Sequence, residues 1–319
     1  VARHPTWSDS HAPDKTQLPT MGLVNCNPGG ALRQWDGSGM TQEDFMNKDE
    51  CILLDPHDNV IGHCSKKAAH VFGPLAPRGI LHRAFSVFLF DSEGRLMLQK
   101  RADDKVTFRS VWTNTCCSHP LHGYNPTEVD TQDDVKKGDP MGVKRAAVRK
   151  LDQELGIKPS SVDVNRFKFL TRLHYWAADV RTHGPKSPWG EHEIDYILFY
   201  QLKEGEELKY TPNPEEVSDV KWVTKDELLK QINDTTLKEK NGSELLWSPW
   251  FRIIVQRFLA PLWWEDLKTT LTTDRFVDGK IHRFDCTKEH FGGAGNAQAW
   301  LSVLPGETST AEAYKEESS

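Results

Sequence analysis

The sequence predicts a single α+β domain over roughly residues 47–284, on three observations. Apolar and β-branched runs of strand length recur along that stretch, at 51–54, 82–90, 95–100, 167–177, 191–202 and 219–223. Helical periodicity falls in separate blocks, strongest at 141–155 and 250–259, so strands and helices segregate and do not alternate strictly. No internal repeat is present.

Residues 1–46 are rich in Gly, Pro, Ser and Asn without a sustained hydrophobic period, which predicts a flexible arm whose Trp7 and Trp35 could dock elsewhere on the protein. Order is expected near Glu50. Cys51–Leu54 reads as a strand that ends in the turn Asp55-Pro-His-Asp-Asn59. Ser65 can cap a short helix, Lys66–Phe72, stopped by Gly73-Pro74. His82–Phe90 and Arg95–Lys100 read as strands joined by Asp91-Ser-Glu-Gly94, a hairpin signal. Asp139-Pro140 is a cap followed by a first-turn proline. It opens a helix with Val143, Ala147, Val148, Leu151 and Leu155 on one face, closed by Gly156. Strands follow at 167–177, 191–202 and 219–223. Ser248-Pro249 repeats the cap-and-proline signal ahead of Ile253, Ile254, Phe258 and Leu259. The pattern is lost again over 285–319, a second expected flexible tail.

Composition narrows the function. Charged residues make up 27% of the 319 residues and the net charge is −6, so no global attraction to nucleic acid or anionic lipid is expected, and any phosphate site must be local. The longest apolar run, Phe85–Phe90, has strand length, which excludes membrane insertion by a hydrophobic helix. The six cysteines, Cys26, Cys51, Cys64, Cys116, Cys117 and Cys286, form no CxxC pair and read as free thiols of a reducing compartment, cytoplasm or plastid. Acidic Asp9 and Asp14 are unusual in a transit peptide, and targeting is left open.

Three features carry chemistry. In Gly190-Glu-His-Glu-Ile-Asp195, a strand places Glu191, Glu193 and Asp195 on one face and His192, Ile194 and Tyr196 on the other. Three carboxylates on one face repel one another unless a cation sits there; a solvated sheet edge is the alternative that this strand alone leaves open. His70, His82 and His119 with two of those carboxylates would make an N3O2 shell suited to Mn²⁺, Zn²⁺ or Mg²⁺. Spacing cannot establish it, and a lone histidine is more often structural or solvated; His4, His11, His183 and His290 are read that way. Cys117 stands two residues before His119, so an extended chain puts both on one side and turns Cys116 to the other. Lys66, Lys67, Lys100, Arg101 and Lys105 are ordinary surface charges singly, and together could hold a diphosphate.

Leu81-His-Arg-Ala-Phe-Ser-Val-Phe-Leu-Phe90, Thr113-Asn-Thr-Cys-Cys-Ser-His-Pro120 and Trp189-Gly-Glu-His-Glu-Ile-Asp-Tyr-Ile-Leu198 closely resemble type I isopentenyl-diphosphate isomerase, and the likeness runs in order from about Cys51 to Phe284. The resemblance implies a Nudix-like α/β/α sandwich with a mixed central sheet. It implies the reversible conversion of isopentenyl to dimethylallyl diphosphate, a step of isoprenoid biosynthesis. By position, His70, His82, His119, Glu191 and Glu193 match the ligands of one divalent ion (Mg, Mn or Zn), and Glu154 matches the carboxylate on a second Mg²⁺ carried by the substrate diphosphate. Cys117 and Glu193 match the two groups on opposite faces of the alkene, Tyr175 a tyrosine assisting proton transfer, Lys66, Arg101, Lys105 and Ser118 diphosphate contacts, and Trp250 the aromatic lining the hydrocarbon pocket. A monomer is expected.

Two departures bear on this reading. The run Arg149-Lys-Leu-Asp-Gln-Glu-Leu-Gly-Ile157 keeps only one of the three glutamates of a Nudix hydrolase box, Glu154. Lys150 and Gln153 cannot bind the metals that diphosphate hydrolysis uses, which argues against a pyrophosphohydrolase. A structural zinc protein, the other competitor, would need a closed shell and usually more thiolate. Arg109-Ser110 stands where family members often have Pro-Gly.

Overall fold

A computed structural model describes residues 42–286, apart from 74, 75, 77, 185 and 235, together with the backbone of 301–303. The expectations for residues 1–41 and for most of 285–319, including Trp7, Trp35, His4, His11 and His290, lie outside the described residues. The strands are β1 (Glu50–Leu54), β2 (Val60–Ser65), β3 (His82–Phe90), β4 (Leu96–Arg101), β5 (Trp112–Thr113), β6 (Cys116–Ser118), β7 (Lys168–Ala178), β8 (Gly190–Gln201), β9 (Val217–Val223), β10 (Ile281–Cys286) and β11 (Leu301–Val303). The helices are α1 (Gln42–Lys48), α2 (Lys66–His70), α3 (Gln132–Lys136), α4 (Met141–Leu155), α5 (Val180–His183), α6 (Lys225–Asn233), α7 (Pro249–Ile254) and α8 (Leu267–Thr272); α7 runs on as a π-helical segment, Val255–Trp263.

Strand β3 is the spine of the sheet. On one side it pairs in parallel with β8 over nine residues, from His82↔Glu193 to Phe90↔Gln201. On the other side it meets three partners in turn: β1 at His82, β6 at Phe85–Val87, and β4 at Phe90. β8 pairs antiparallel with β7, and β7 pairs in parallel with β10, so the central sheet is mixed. All nine residues of β3 are buried, as expected of a strand covered on both faces.

Two cores lie on the two faces of this sheet. Val143, Ala147, Leu151 and Leu155 of α4 pack on Phe85, Val87, Ile194 and Leu198. Trp250, Phe251, Ile254 and Phe258 pack on Phe88, Ile197 and Phe199. This is the α/β/α sandwich of a Nudix-like fold. No helix among the described residues is long and apolar enough to cross a membrane.

The caps differ from the sequence reading in instructive ways. Ser65 accepts from the Ala68 amide at 3.3 Å, as expected. At α4, however, Pro140 takes the N-cap position and Asp139 pairs with Lys144 Nζ at 2.5 Å. The amides of Gly142 and Val143 donate instead to Asp130, at 2.6 and 2.8 Å, so the helix is capped from a distant segment. Ser248 takes the N-cap position of α7 with Pro249 in the first turn, as expected, but its hydroxyl exchanges a 2.8 Å hydrogen bond with Thr113 and accepts from no helix amide. The expected boundary at residue 47 falls inside α1, and β2 was read only as a turn and a cap.

Candidate active site and metal centre

The parallel register of β3 and β8 and the antiparallel register of β8 and β7 put His82, Glu193 and Tyr175 in one row across the sheet. β6, paired with β3 through Ser86↔Cys117, delivers Cys117 and then His119 to the same face. α2 delivers His70: the Phe72 amide donates to Pro188 O at 2.8 Å, which anchors the end of the helix beside the start of β8 and Glu191. Strand alternation then does what the sequence predicted, since Cys116 packs into the α4 core and Cys117 against the opposite one.

Donor atoms of His70, His82, His119, Glu191 and Glu193 all lie within 4.8 Å of one another, and the five residues are buried. The tautomers are set from behind. His70 Nδ1 lies 2.6 Å from Lys66 O, and His82 Nδ1 lies 2.7 Å from Ile80 O; each must donate its Nδ1 proton to that carbonyl. Both rings therefore aim an Nε2 lone pair inward. His70 Nε2 then faces Glu191 Oε2 at 2.8 Å with lone pairs on both atoms, and that buried oxygen has no hydrogen-bond donor. His119 Nε2 lies 2.7 Å from Glu193 Oε1 and 3.2 Å from His82 Nε2. Convergent lone pairs without hydrogens between them fit a divalent cation, and imidazole with carboxylate suits Mn²⁺, Zn²⁺ or Mg²⁺.

Electrostatics follow from the burial. Burial raises the proton affinity of Glu193 and Glu191, but His82 and Tyr175 on the first and His70 on the second outweigh it and hold both below the usual carboxylate range. Burial lowers His82, yet the hydrogen bond and charge of Glu193 carry it above the ordinary imidazole value. His119 is held low by burial and by His70 and His82 beside it. Tyr175 donates to Glu193 Oε2, and burial plus that carboxylate keep its phenol protonated. Burial pushes the Cys117 thiol up to about 12, against the pull of Arg101.

These groups share a cavity of about 600 Å³, part of it open to solvent. It is lined by every predicted site residue except His82, which is fully buried behind it. Arg101 is aimed by two backbone carbonyls, Phe108 O at 3.0 Å and Thr107 O at 2.9 Å, and leaves Nη1 3.8 Å from Cys117 Sγ. Its guanidinium also lies 5.8 Å from the centroid of the Trp250 ring. Lys105 is paired with Glu216. Glu154 accepts from Lys150 Nζ at 3.1 Å and from Gln99 Nε2 at 3.1 Å, with Cys116 Sγ 3.4 Å away.

Sequence reasoning missed Met46, Phe85, Ser86, Val106 and Thr107 in the lining. Thr107 matters most, since its hydroxyl donates to Glu191 Oε1 at 2.9 Å. Its loop is held by Arg101 and by Asp179, which accepts from the Phe108 amide at 2.8 Å. A single threonine in a loop carries no periodic signal that could have found it. Arg109-Ser110, unexplained by sequence, places Ser110 at φ +59°, where glycine would sit without strain. His183, read as bland, donates its Nε2 proton to Val106 O at 2.8 Å and serves that same loop.

Comparison with known proteins adds the lineage. The family model described as "NUDIX domain" matches residues 80–244. An isopentenyl-diphosphate delta-isomerase of Phaffia rhodozyma is 41% identical over 268 residues, covering 82% of this chain and 95% of that protein. One from Aspergillus fumigatus is 44% identical over 252 residues, covering 76% and 81%. A chloroplastic isopentenyl-diphosphate Delta-isomerase of Arabidopsis thaliana is 41% identical over 257 residues, covering 80% and 83%.

Proposed function

Because the chain belongs to the isopentenyl-diphosphate delta-isomerase family of Nudix-domain proteins, we propose that its cavity interconverts isopentenyl and dimethylallyl diphosphate, with Cys117 and Glu193 as the two proton-transfer groups. The observation that carries the assignment is that these two groups line one cavity in opposite protonation states, a buried thiol and a carboxylate with a depressed pKa. The reaction needs that pairing. A proton must be added to the terminal methylene, leaving a tertiary carbocation, and another removed from the carbon two positions along the chain toward the diphosphate.

Tyr175 holds Glu193 through its hydroxyl and is the third member of the relay. His70, His82, His119, Glu191 and Glu193 would hold a divalent ion, which would supply fixed positive charge to offset the repulsion of two buried carboxylates. Trp250 would offer its π face to the cationic carbon without forming a bond, and Phe108, edge-on to it, helps keep water away.

Lys66, Arg101, Lys105 and Ser118 line the same cavity and would hold the diphosphate. Glu154, in the same lining, would share a second Mg²⁺ arriving with the substrate. Its lone pairs already accept from Lys150 and Gln99, so that ion would be held mainly by diphosphate oxygens.

The test is isotopic. Incubated with isopentenyl diphosphate in deuterated water, the enzyme should place deuterium in the new methyl group and at the carbon that loses the proton, with no phosphate released. Release of phosphate without label at carbon would instead establish a hydrolase.

A further inference from the structure

A second group of metal-type donors lies outside the cavity. Glu50, His63 and His122 present ligand atoms within 4.8 Å of one another. Three neighbouring extended segments bring them together. Glu50 is on β1, the middle segment; His63 is on β2, where Ile52↔His63 sets the register. His122 is on the chain just after β6, tied to β1 by the Cys51↔Leu121 bridge and by its own amide donating to Glu50 O at 2.9 Å. All three side chains reach one surface.

The arrangement of the rings is specific. His63 and His122 stack with centroids 3.9 Å apart and planes 4° from parallel. Both turn Nδ1 to the same carboxylate oxygen, Glu50 Oε2, at 3.1 and 3.4 Å. The parallel rings hold their Nδ1 atoms side by side, and rotation of one ring about its Cβ–Cγ bond would turn both lone pairs and the carboxylate onto one ion, the donor set of a Zn²⁺-type site with an open fourth position. The half-exposed setting leaves that position to water.

We propose that Glu50, His63 and His122 form a second, surface metal site for a first-row transition ion such as Zn²⁺, separate from the cavity. Two imidazoles favour such an ion over Mg²⁺, which prefers oxygen. His63 stands three residues before Lys66, and His122 three residues after His119. An ion here therefore fastens the strand that leads into α2 to the segment that leaves β6, clamping the two backbones that carry His70 and His119. It stabilises the fold without touching the substrate.

The test is a zinc titration of the full-length protein beside His63→Ala/His122→Ala and Glu50→Gln. After equilibration with buffered Zn²⁺, bound metal is counted by atomic emission. Wild type should hold about one zinc ion more per chain than the double variant, since the cavity site contributes equally to both. Zn²⁺ should also raise the melting temperature of wild type by several degrees more than that of the double variant. Glu50→Gln keeps both rings and should weaken the extra zinc about tenfold or more. In the absence of zinc, turnover and circular dichroism should match in all three proteins, which shows that the variants fold. Equal zinc content and equal melting shifts in wild type and the double variant would overturn the proposal.

Discussion

Metal binding at the cavity should release a proton, and the structure says from where. The Nδ1 proton of His82 is committed to Ile80 O, and the hydrogen bond and charge of Glu193 raise the affinity of its ring for a second proton. An incoming ion must displace that second proton, so about one is released. Affinity for Mn²⁺ should then rise about 10-fold per pH unit, worth ~1.4 kcal/mol per unit. The sign follows from His82: its pKa is raised in the metal-free protein, so binding is weak below the ordinary imidazole range, strengthens as pH climbs through the raised value, and levels off above it. Titration calorimetry in buffers of different ionisation enthalpy, at pH 6, 7 and 8, measures both slope and proton count. An affinity independent of pH, with no buffer-dependent heat, would refute the tautomer assignment.

Three further outcomes are expected. Cys117→Ala should lower kcat at least 1000-fold with the fold intact, whereas Cys116→Ala, which loses only a buried thiol beside Glu154, should cost about 1 kcal/mol of stability and little activity; kinetics with matched melting curves decide it. Trp250→Phe should retain more kcat than Trp250→Leu, by a factor reflecting about 0.5–2 kcal/mol of cation–π stabilisation, with KM little changed; equal kcat would leave Trp250 as packing. Lys150→Met should cost about 3 kcal/mol in denaturant unfolding, because it removes one side of a buried pair with Glu154, and a variant as stable as wild type would show that Lys105 and Gln99 suffice.

What could be read from sequence was what depends on neighbours along the chain. The alternation of β8 placed Glu191, Glu193 and Asp195 on one face, and the alternation of β6 separated Cys116 from Cys117. The end of α4 at Gly156, in the left-handed region, was equally local. Other features depend on segments far apart. His70, His82 and His119 converge only because α2, β3 and β6 meet, and their spacing alone left the bland reading open; the family resemblance supplied what spacing could not. The cap of α4 by Asp130, the anchoring of Thr107 through Arg101 and Asp179, and the meeting of His63 with His122 are of the same long-range kind. Strand β2 was missed because Val60-Ile-Gly-His-Cys-Ser65 is short and broken by glycine, and its outer residues stay exposed.

The same distinction explains how a Nudix scaffold comes to leave a diphosphate intact. Helix α4 keeps the position of the hydrolase box, but Lys150 is buried there, 3.1 Å from Glu154, and burial is outweighed by Glu216 and Glu154 so that its ammonium stays charged. A covalently held cation thus balances the carboxylate on which box chemistry would assemble its metals. The dense metal-type donor set lies elsewhere in the cavity, on β3, β8, α2 and the segment after β6, beside Cys117 and Tyr175. On the proposed reading, metal-type donors beside Cys117 and a lysine beside Glu154 turn the scaffold toward carbon chemistry and away from phosphorus, and both placements follow from which side chains β8 and α4 turn inward.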